Sequence, residues 1–458
     1  MQDVPPDLMH RLRKHQQEHV LHGWDQLEIT HRVALVEHLT GIDFEQLAHL
    51  YANRDKSQAL PPSEQIQPVP MIAGDEISKE ATDLGHAALA AGEVAVLLVA
   101  GGQGTRLGFD LPKGLFKIGP VSDKSLFEIH ADKVFALSRK YGKPVPLLVM
   151  TSPVTHEETE RFFQEKNYFG LPASQVYFFQ QGTMPALTLE GGKLLMEKPG
   201  SVFSSPNGHG GTLTALSESG LLDKLAAQGI KHIFYFQVDN PLVRLADPAF
   251  LGEHIRVKSQ VSSRAIDKAY PKEKMGVLAV VSGKCGIIEY SDMPDELVHA
   301  TAPDGKLLHR AGSPAIHLFD VGFLKEITQG ETRLPFHYAR KKVPHMDTTG
   351  NMVTPSAENA LKFEMFVFDA LPMAERWLVV ESPREVEFAP VKNATGVDSP
   401  ETCRQALTNL TADWAKKAGI RVEANVPLEV SPRFAMDAAE FAARVYPGRT
   451  ITEATFFE

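Results

Sequence analysis

The chain has 458 residues, 43% of them hydrophobic and 23% charged, with a formal net charge of −10. This composition suits a globular protein with a large core and one or two smaller domains; its acidic balance argues against a nucleic-acid binder, which presents a broad basic surface. Two cysteines without metal-type spacing, no apolar leader and no run near the ~18 to 20 apolar residues that cross a bilayer set aside a disulfide framework, a zinc site and a membrane span, so a soluble cytoplasmic protein is expected.

Residues 7–27 space Leu8, Leu12, Val20, Trp24 and Leu27 as on a one-sided helix. Val33, Val36 and Leu39 suggest a second helix. "IDFEQLAHLY" suggests a third, with Asp43 as N-cap and Gln46 at the reciprocal capping position. This front section reads as a helical subdomain that packs on the main core or, alternatively, docks a partner. Residues 52–72 hold four prolines and few apolar anchors, which predicts an extended connection. Strand candidates follow: "VAVLLV" (94–99), "PLLVM" (146–150), "VYFF" (176–179), "HIFYFQV" (232–238), "VLAVV" (277–281) and "IIEY" (287–290). Helical stretches such as "SLFEIHADKVFALSRKY" and "GTLTALSESGLLDKLAAQG" lie between several of them. Nearly all-apolar strands alternating with helices predict an α/β core on a mainly parallel sheet. The expected domains are 1–72, a core over 73–395 and a small C-terminal lobe over 396–458, whose helix is "CRQALTNLTADWAKKAG".

Ligands of parallel α/β sheets lie at the carboxyl ends of strands, which draws attention to "LLVAGGQGTRLG". A P-loop is excluded because no Gly-Lys-Ser/Thr triplet follows. A dinucleotide fingerprint is excluded because Gly108 falls one residue beyond the G-x-G-x-x-G spacing set by Gly102 and Gly104. Glycines let main-chain N–H groups approach a base or phosphates. Arg106 and Lys113, both on this loop, suit a triphosphate better than a neutral ligand.

The stretch "LLVAGGQGTRLGFDLPKG" resembles the G-G-x-G-T-R-L-x(n)-P-K signature of nucleotide-sugar pyrophosphorylases. Its Gln103 and "PKG" resemble the UDP-N-acetylhexosamine pyrophosphorylases within the wider UDP-sugar pyrophosphorylase family, and the likeness runs from "QQEHVLHGWDQL" to "REVEFAPVKNA". It implies a Rossmann-like, GT-A-like nucleotidyltransferase core that takes UTP and a sugar 1-phosphate, with Mg²⁺ as cofactor. It implies nucleotide contacts from Val99, Gly101, Gly102, Gln181 in "FFQQGTMPAL" and Gly208 in "SSPNGHGG". Arg106, Lys113 and Lys392 are implied as the catalytic cations and Asp239 in "FQVDNPLV" as the metal ligand. The sugar side falls to His209, Gly276, Glu289, Ser313, Phe366 and Phe368. Two of these depart from the N-acetylhexosamine pattern: His209 stands where Asn is typical, and Ser313 where the family commonly reads AGN. N-acetylglucosamine 1-phosphate is the expected sugar substrate, with glucose 1-phosphate or broad tolerance as the alternative and a non-catalytic UDP-sugar binder as a remote one.

Overall fold

In the computed structural model, "VAVLLV" folds as β1 (Val94–Val99), buried on both faces along most of its length, as an all-apolar strand requires. The strands β2 (Leu147–Thr151), β3 (Val176–Gln180) and β4 (His232–Gln237) run parallel to it in the order β4-β1-β2-β3. Register aligns their carboxyl ends: Val99 pairs with Gln237 and with Met150, and Thr151 with Gln180. Beyond β4 the sheet becomes mixed. It continues through β5 (Val261–Asp267), the hairpin of β6 (Val277–Val281) and β7 (Lys284–Ile288), β8 (His317–Asp320) and β9 (Trp377–Glu381). β8 is antiparallel between β4 and β5, and β9 lies parallel to β5. The architecture is thus α/β on a large sheet whose glycine-loop half is parallel, as the strand pattern predicts.

Helices cover this sheet. The helices α1 (Lys79–Ala91) and α3 (Pro248–Arg256) approach so closely that a Cβ on Gly85 or Gly252 would overlap the facing backbone. Between them in sequence, α2 (Leu126–Tyr141) opens with a complete capping box: Ser125 Oγ accepts the Glu128 N–H at 3.2 Å, and the Glu128 carboxylate accepts the Ser125 N–H at 2.8 Å. After α4 (Pro400–Lys417), the C-terminal lobe gathers Ala415, Ile420, Leu428, Phe441 and Ile451 into its own apolar core.

The structure describes residues 4–55, 60–330, 333–347 and 349–458, so the expected connection at 52–72 lies in part outside the described residues. Packing divides the chain into two units. One comprises Met1–Leu60, Gly182–Gly211 and Leu334–Val367; the other comprises Pro61–Gln181, Thr212–Arg333 and Phe368–Glu458. The linear division into 1–72, 73–395 and 396–458 gives way to this discontinuous one for a hydrophobic reason. Leu8, Leu12, Leu35 and Leu39 of the front helices share a core with Leu187, Leu194, Met196, Val202, Leu361 and Phe363 from the two later segments. The front helix is also shorter than its apolar spacing implies: it spans Pro6–Lys14, and Gln16 at φ 55° breaks it ahead of two short 3₁₀ turns. Asp43 does cap Phe44–Ala52, accepting the Gln46 N–H at 2.9 Å. The stretch beginning "GTLTALSESG" forms two helices, Gly211–Glu218 and Leu221–Ala227, separated at Gly220, whose φ of 73° only glycine adopts cheaply. The strand expected at 287–290 ends at Ile288, leaving Glu289 just beyond it.

Candidate active site

The glycine loop leaves β1 and folds back on itself. Lys113 N–H donates to Gly102 O at 3.0 Å, and Gly104 N–H donates to Leu111 O at 3.0 Å, so Gln103 and Pro112 bridge antiparallel. This short hairpin presents Arg106 on an exposed 3₁₀ turn and brings Lys113 back to the strand ends. Arg106 is in no ion pair among the described residues. Pro112 precedes the turn, and Gly114 follows Lys113 because a Cβ there would overlap the ring of the fully buried Phe127.

Three strand ends converge beside the loop. Gln181 follows β3, its N–H held by Thr151 O at 2.8 Å, and its amide lies against Gly101: a Cβ on Gly101 would stand 2.5 Å from Gln181 Oε1. Asp239 lies two residues past β4, and its carboxylate meets Lys113 Nζ at 3.3 Å in a half-buried ion pair. Asp239 O accepts the N–H of Val391 at 2.9 Å, which seats Lys392 beside it although 151 residues of chain intervene between positions 239 and 391. The Lys392 ammonium lies 5.3 Å from the centroid of the Phe388 ring, and the Lys392 backbone N–H donates to Asp398 O at 2.7 Å. Burial, with the negative charge of Asp239 among the lesser causes, holds the Asp398 carboxyl above its ordinary range. Val99, Gly101, Gly102, Lys113, Gln181, Asp239 and Lys392 therefore share one edge of the parallel strands, with Arg106 on the rim.

Gly276, Glu289 and Ser313 form a second group on the same unit. Gly276 O accepts the Ser313 N–H at 2.9 Å, and a Cβ on Gly276 would lie 3.6 Å from Glu289 Oε1. Phe368 is the second residue of the 3₁₀ segment Val367–Met373. The preceding strand is Ala360–Glu364, and both Phe366 and Phe368 lie past its end.

On the other unit, the loop carrying Gly208 and His209 is pinned to residues 365–367. Gly210 N–H donates to Met365 O at 2.8 Å, and Val367 N–H donates to His209 Nδ1 at 3.2 Å. The acceptor role assigns the His209 proton to Nε2, and burial pushes its imidazole down to about 4, so the ring is neutral at pH 7. The Phe366 ring lies between those of His209 and His337, at 5.4 and 4.6 Å.

Three supporting residues escape a reading of the sequence alone. Asn240, 3% exposed, donates to Glu387 O at 2.8 Å and accepts the Ala389 N–H at 3.1 Å, tying the segment before Lys392 to the end of β4. His130 of α2 donates to Val238 O at 2.9 Å, and Lys133 donates to Pro241 O and to Val243 O, the latter at 2.7 Å. Burial pushes the Lys133 ammonium down to about 7. The Asn directly after Asp239 was a usable signal; a lysine in an amphipathic helix was not.

No group of three or more His, Cys, Asp or Glu side chains suited to a metal occurs among the described residues. Asp239 alone suits the way Mg²⁺ is commonly held, by one or two carboxylates together with phosphate oxygens of the substrate.

Residues 42–427 match the model of the UTP–glucose-1-phosphate uridylyltransferase family. UDP-N-acetylglucosamine diphosphorylase 2 of Arabidopsis thaliana is 38% identical over 97% of this chain and 92% of its own length. UDP-N-acetylglucosamine pyrophosphorylase of Saccharomyces cerevisiae is 36% identical over 94% and 96%. Among solved structures, the uridine diphosphate N-acetylglucosamine pyrophosphorylase of Trypanosoma brucei in complex with inhibitor superimposes with a TM-score of 0.80 at 27% identity, covering 100% of this chain and 99% of that one. With a family model matching most of its length and relatives of this identity across nearly all of it, the chain belongs to the UTP–glucose-1-phosphate uridylyltransferase family.

Proposed function

We propose that the protein is a uridylyltransferase that joins UTP and N-acetylglucosamine 1-phosphate into UDP-N-acetylglucosamine and pyrophosphate. The observation that carries this reading is the convergence at one strand edge of the glycine loop, the Gln181 amide, the Asp239–Lys113 pair and Lys392. An amide offers a donor and an acceptor to the uracil edge. A phosphate oxygen of the sugar phosphate attacks the α-phosphorus of UTP in line. The bond from that phosphorus to the oxygen bridging to the β-phosphate breaks, and pyrophosphate departs with the electron pair. The attacking phosphate is already anionic at pH 7, so no general base is needed. The protein's work is to hold two anions together and to neutralise charge as it moves. Lys392 faces the incoming phosphate in this reading, and Arg106 and Lys113 the departing pyrophosphate. Asp239 would hold Mg²⁺, which when bound neutralises phosphate charge. No helix among the described residues is long and apolar enough to cross a membrane, and we place the enzyme in the cytoplasm.

The sugar is the point at which a second reading has support. His209 and Ser313 both depart from the N-acetylhexosamine pattern, and an acetamido group left without a partner costs about 1–3 kcal/mol, a ten- to hundredfold change in preference. The deciding experiment measures pyrophosphate release from UTP and Mg²⁺ with N-acetylglucosamine, N-acetylgalactosamine and glucose 1-phosphates. A higher kcat/KM for N-acetylglucosamine 1-phosphate supports the proposal. A preference for glucose 1-phosphate assigns the alternative, and no release from any of them refutes catalysis.

A further inference from the structure

We propose that Lys133 is a positioning residue for Asp239, an inference that rests on the uridylyltransferase reading. The segment after β4 has little backbone support of its own: Asn240 N–H reaches Gln237 O, and Val243 N–H reaches Asn240 O, at 3.5 Å each, the far limit of a hydrogen bond. Three of its carbonyls are held from one face of α2. His130 takes Val238 O ahead of Asp239, and Lys133, three residues along the same helix face, takes Pro241 O and Val243 O behind it. Lys133 is in no ion pair among the described residues, and its Nζ donates to both of these carbonyls. An amine keeps two N–H donors even when neutral, so both carbonyls stay held in either protonation state.

What this clamp fixes is the placement of both reacting-side charges. The Asp239 carboxylate reaches Lys113 at 3.3 Å from the clamped segment. Asp239 O and the Asn240 amide carry the chain that bears Lys392. A shift of residues 238–243 therefore moves the carboxylate and one cation together.

The test uses the full-length enzyme as wild type, Lys133→Met, Lys133→Gln and Lys133→Arg. Lys133 borders a cavity of about 250 Å³ whose other walls include Leu137, Val386, Leu410 and Trp414. A guanidinium therefore has room, and water can reach the carbonyls that Met or Gln leaves. Pyrophosphate release is measured with UTP and N-acetylglucosamine 1-phosphate against a MgCl₂ titration, alongside melting temperature. We expect Lys133→Met and Lys133→Gln to lower kcat by about ten- to a hundredfold and to raise the Mg²⁺ concentration for half-maximal rate. KM for the sugar phosphate stays within about twofold, and Lys133→Arg restores most of the loss. Unchanged kcat and Mg²⁺ dependence in the folded Met or Gln variant, whatever its melting temperature, reduces Lys133 to a structural role and overturns the proposal. Crystal structures of wild type and Lys133→Gln supply a readout independent of turnover. A displaced 238–243 segment with Asp239 out of reach of Lys113 supports positioning, and an unchanged segment refutes it. If the wild type itself releases no pyrophosphate, the uridylyltransferase reading falls while these structures still decide the positioning claim.

Discussion

Replacing Gly101 by Ala inserts one methyl group between the glycine loop and Gln181. The new Cβ would stand 2.5 Å from Gln181 Oε1, so the amide must retreat by about 0.9 Å to reach ordinary contact at 3.4 Å. Because the obstructing atom ends a flexible side chain, the fold absorbs the change and the melting temperature should fall by no more than about 2 °C. Recognition cannot absorb it. A hydrogen bond of ~2.9 Å stretched by that distance no longer counts as one, and two lost bonds to the uracil edge, at about 1 kcal/mol each, lower kcat/KM for UTP about 30-fold. Cytosine presents a different edge, so CTP loses less and the preference for UTP narrows. The assay is steady-state pyrophosphate release with UTP and CTP as competing nucleotides. Wild-type kcat/KM for UTP in Gly101→Ala, or equal losses for both nucleotides, would show that Gln181 does not read the base.

Three further outcomes follow from the same geometry. Arg106→Ala and Lys392→Ala should each reduce kcat by about 10²- to 10³-fold with UTP saturating, as expected for removal of one preorganised charge; near-normal turnover in both would discard their assignment. Gly114→Ala should lower both kcat and stability, since its methyl overlaps Phe127, which is wedged against Phe163 at 5.2 Å. Overpacking of this kind costs about 1–3 kcal/mol in urea unfolding, and unchanged unfolding would mean that the ring has room to move. Acid should destabilise the fold below about pH 6.5. Burial pushes His254 down to about 3, so the unfolded chain takes up its proton first and stability is lost as pH falls from the unfolded value through the folded one. His254→Gln should remove about 1.4 kcal/mol per pH unit from that slope between pH 6 and 4; parallel unfolding curves for wild type and variant would contradict it.

The strands at the active edge were readable because each is an unbroken apolar run ending in a loop of unusual composition, as in "VAVLLV" before Gly101. Asp43 with Gln46 likewise announced a helix start through local chemistry. The two-unit division was not readable. Leu187, Met196 and Leu361 sit in strands of two to five residues, too short to show a period, and their core is completed by helices more than a hundred residues earlier. Lys133 was hidden for the converse reason. Within α2 it has the spacing of a solvated charge, and only the carbonyls of Pro241 and Val243, brought by the tertiary fold, give it partners indoors.

The stitch from Val391 N–H to Asp239 O has a temporal side. A ribosome delivers the glycine loop, the Gln181 amide and the acidic strand end long before it delivers Lys392. A nascent or truncated chain ending ahead of that lysine can hold much of the sheet yet lacks one jaw of the clamp. With Lys392 in its proposed role, full turnover waits on the last fifth of the polypeptide, so a fragment able to grip UTP would not by that token be able to consume it.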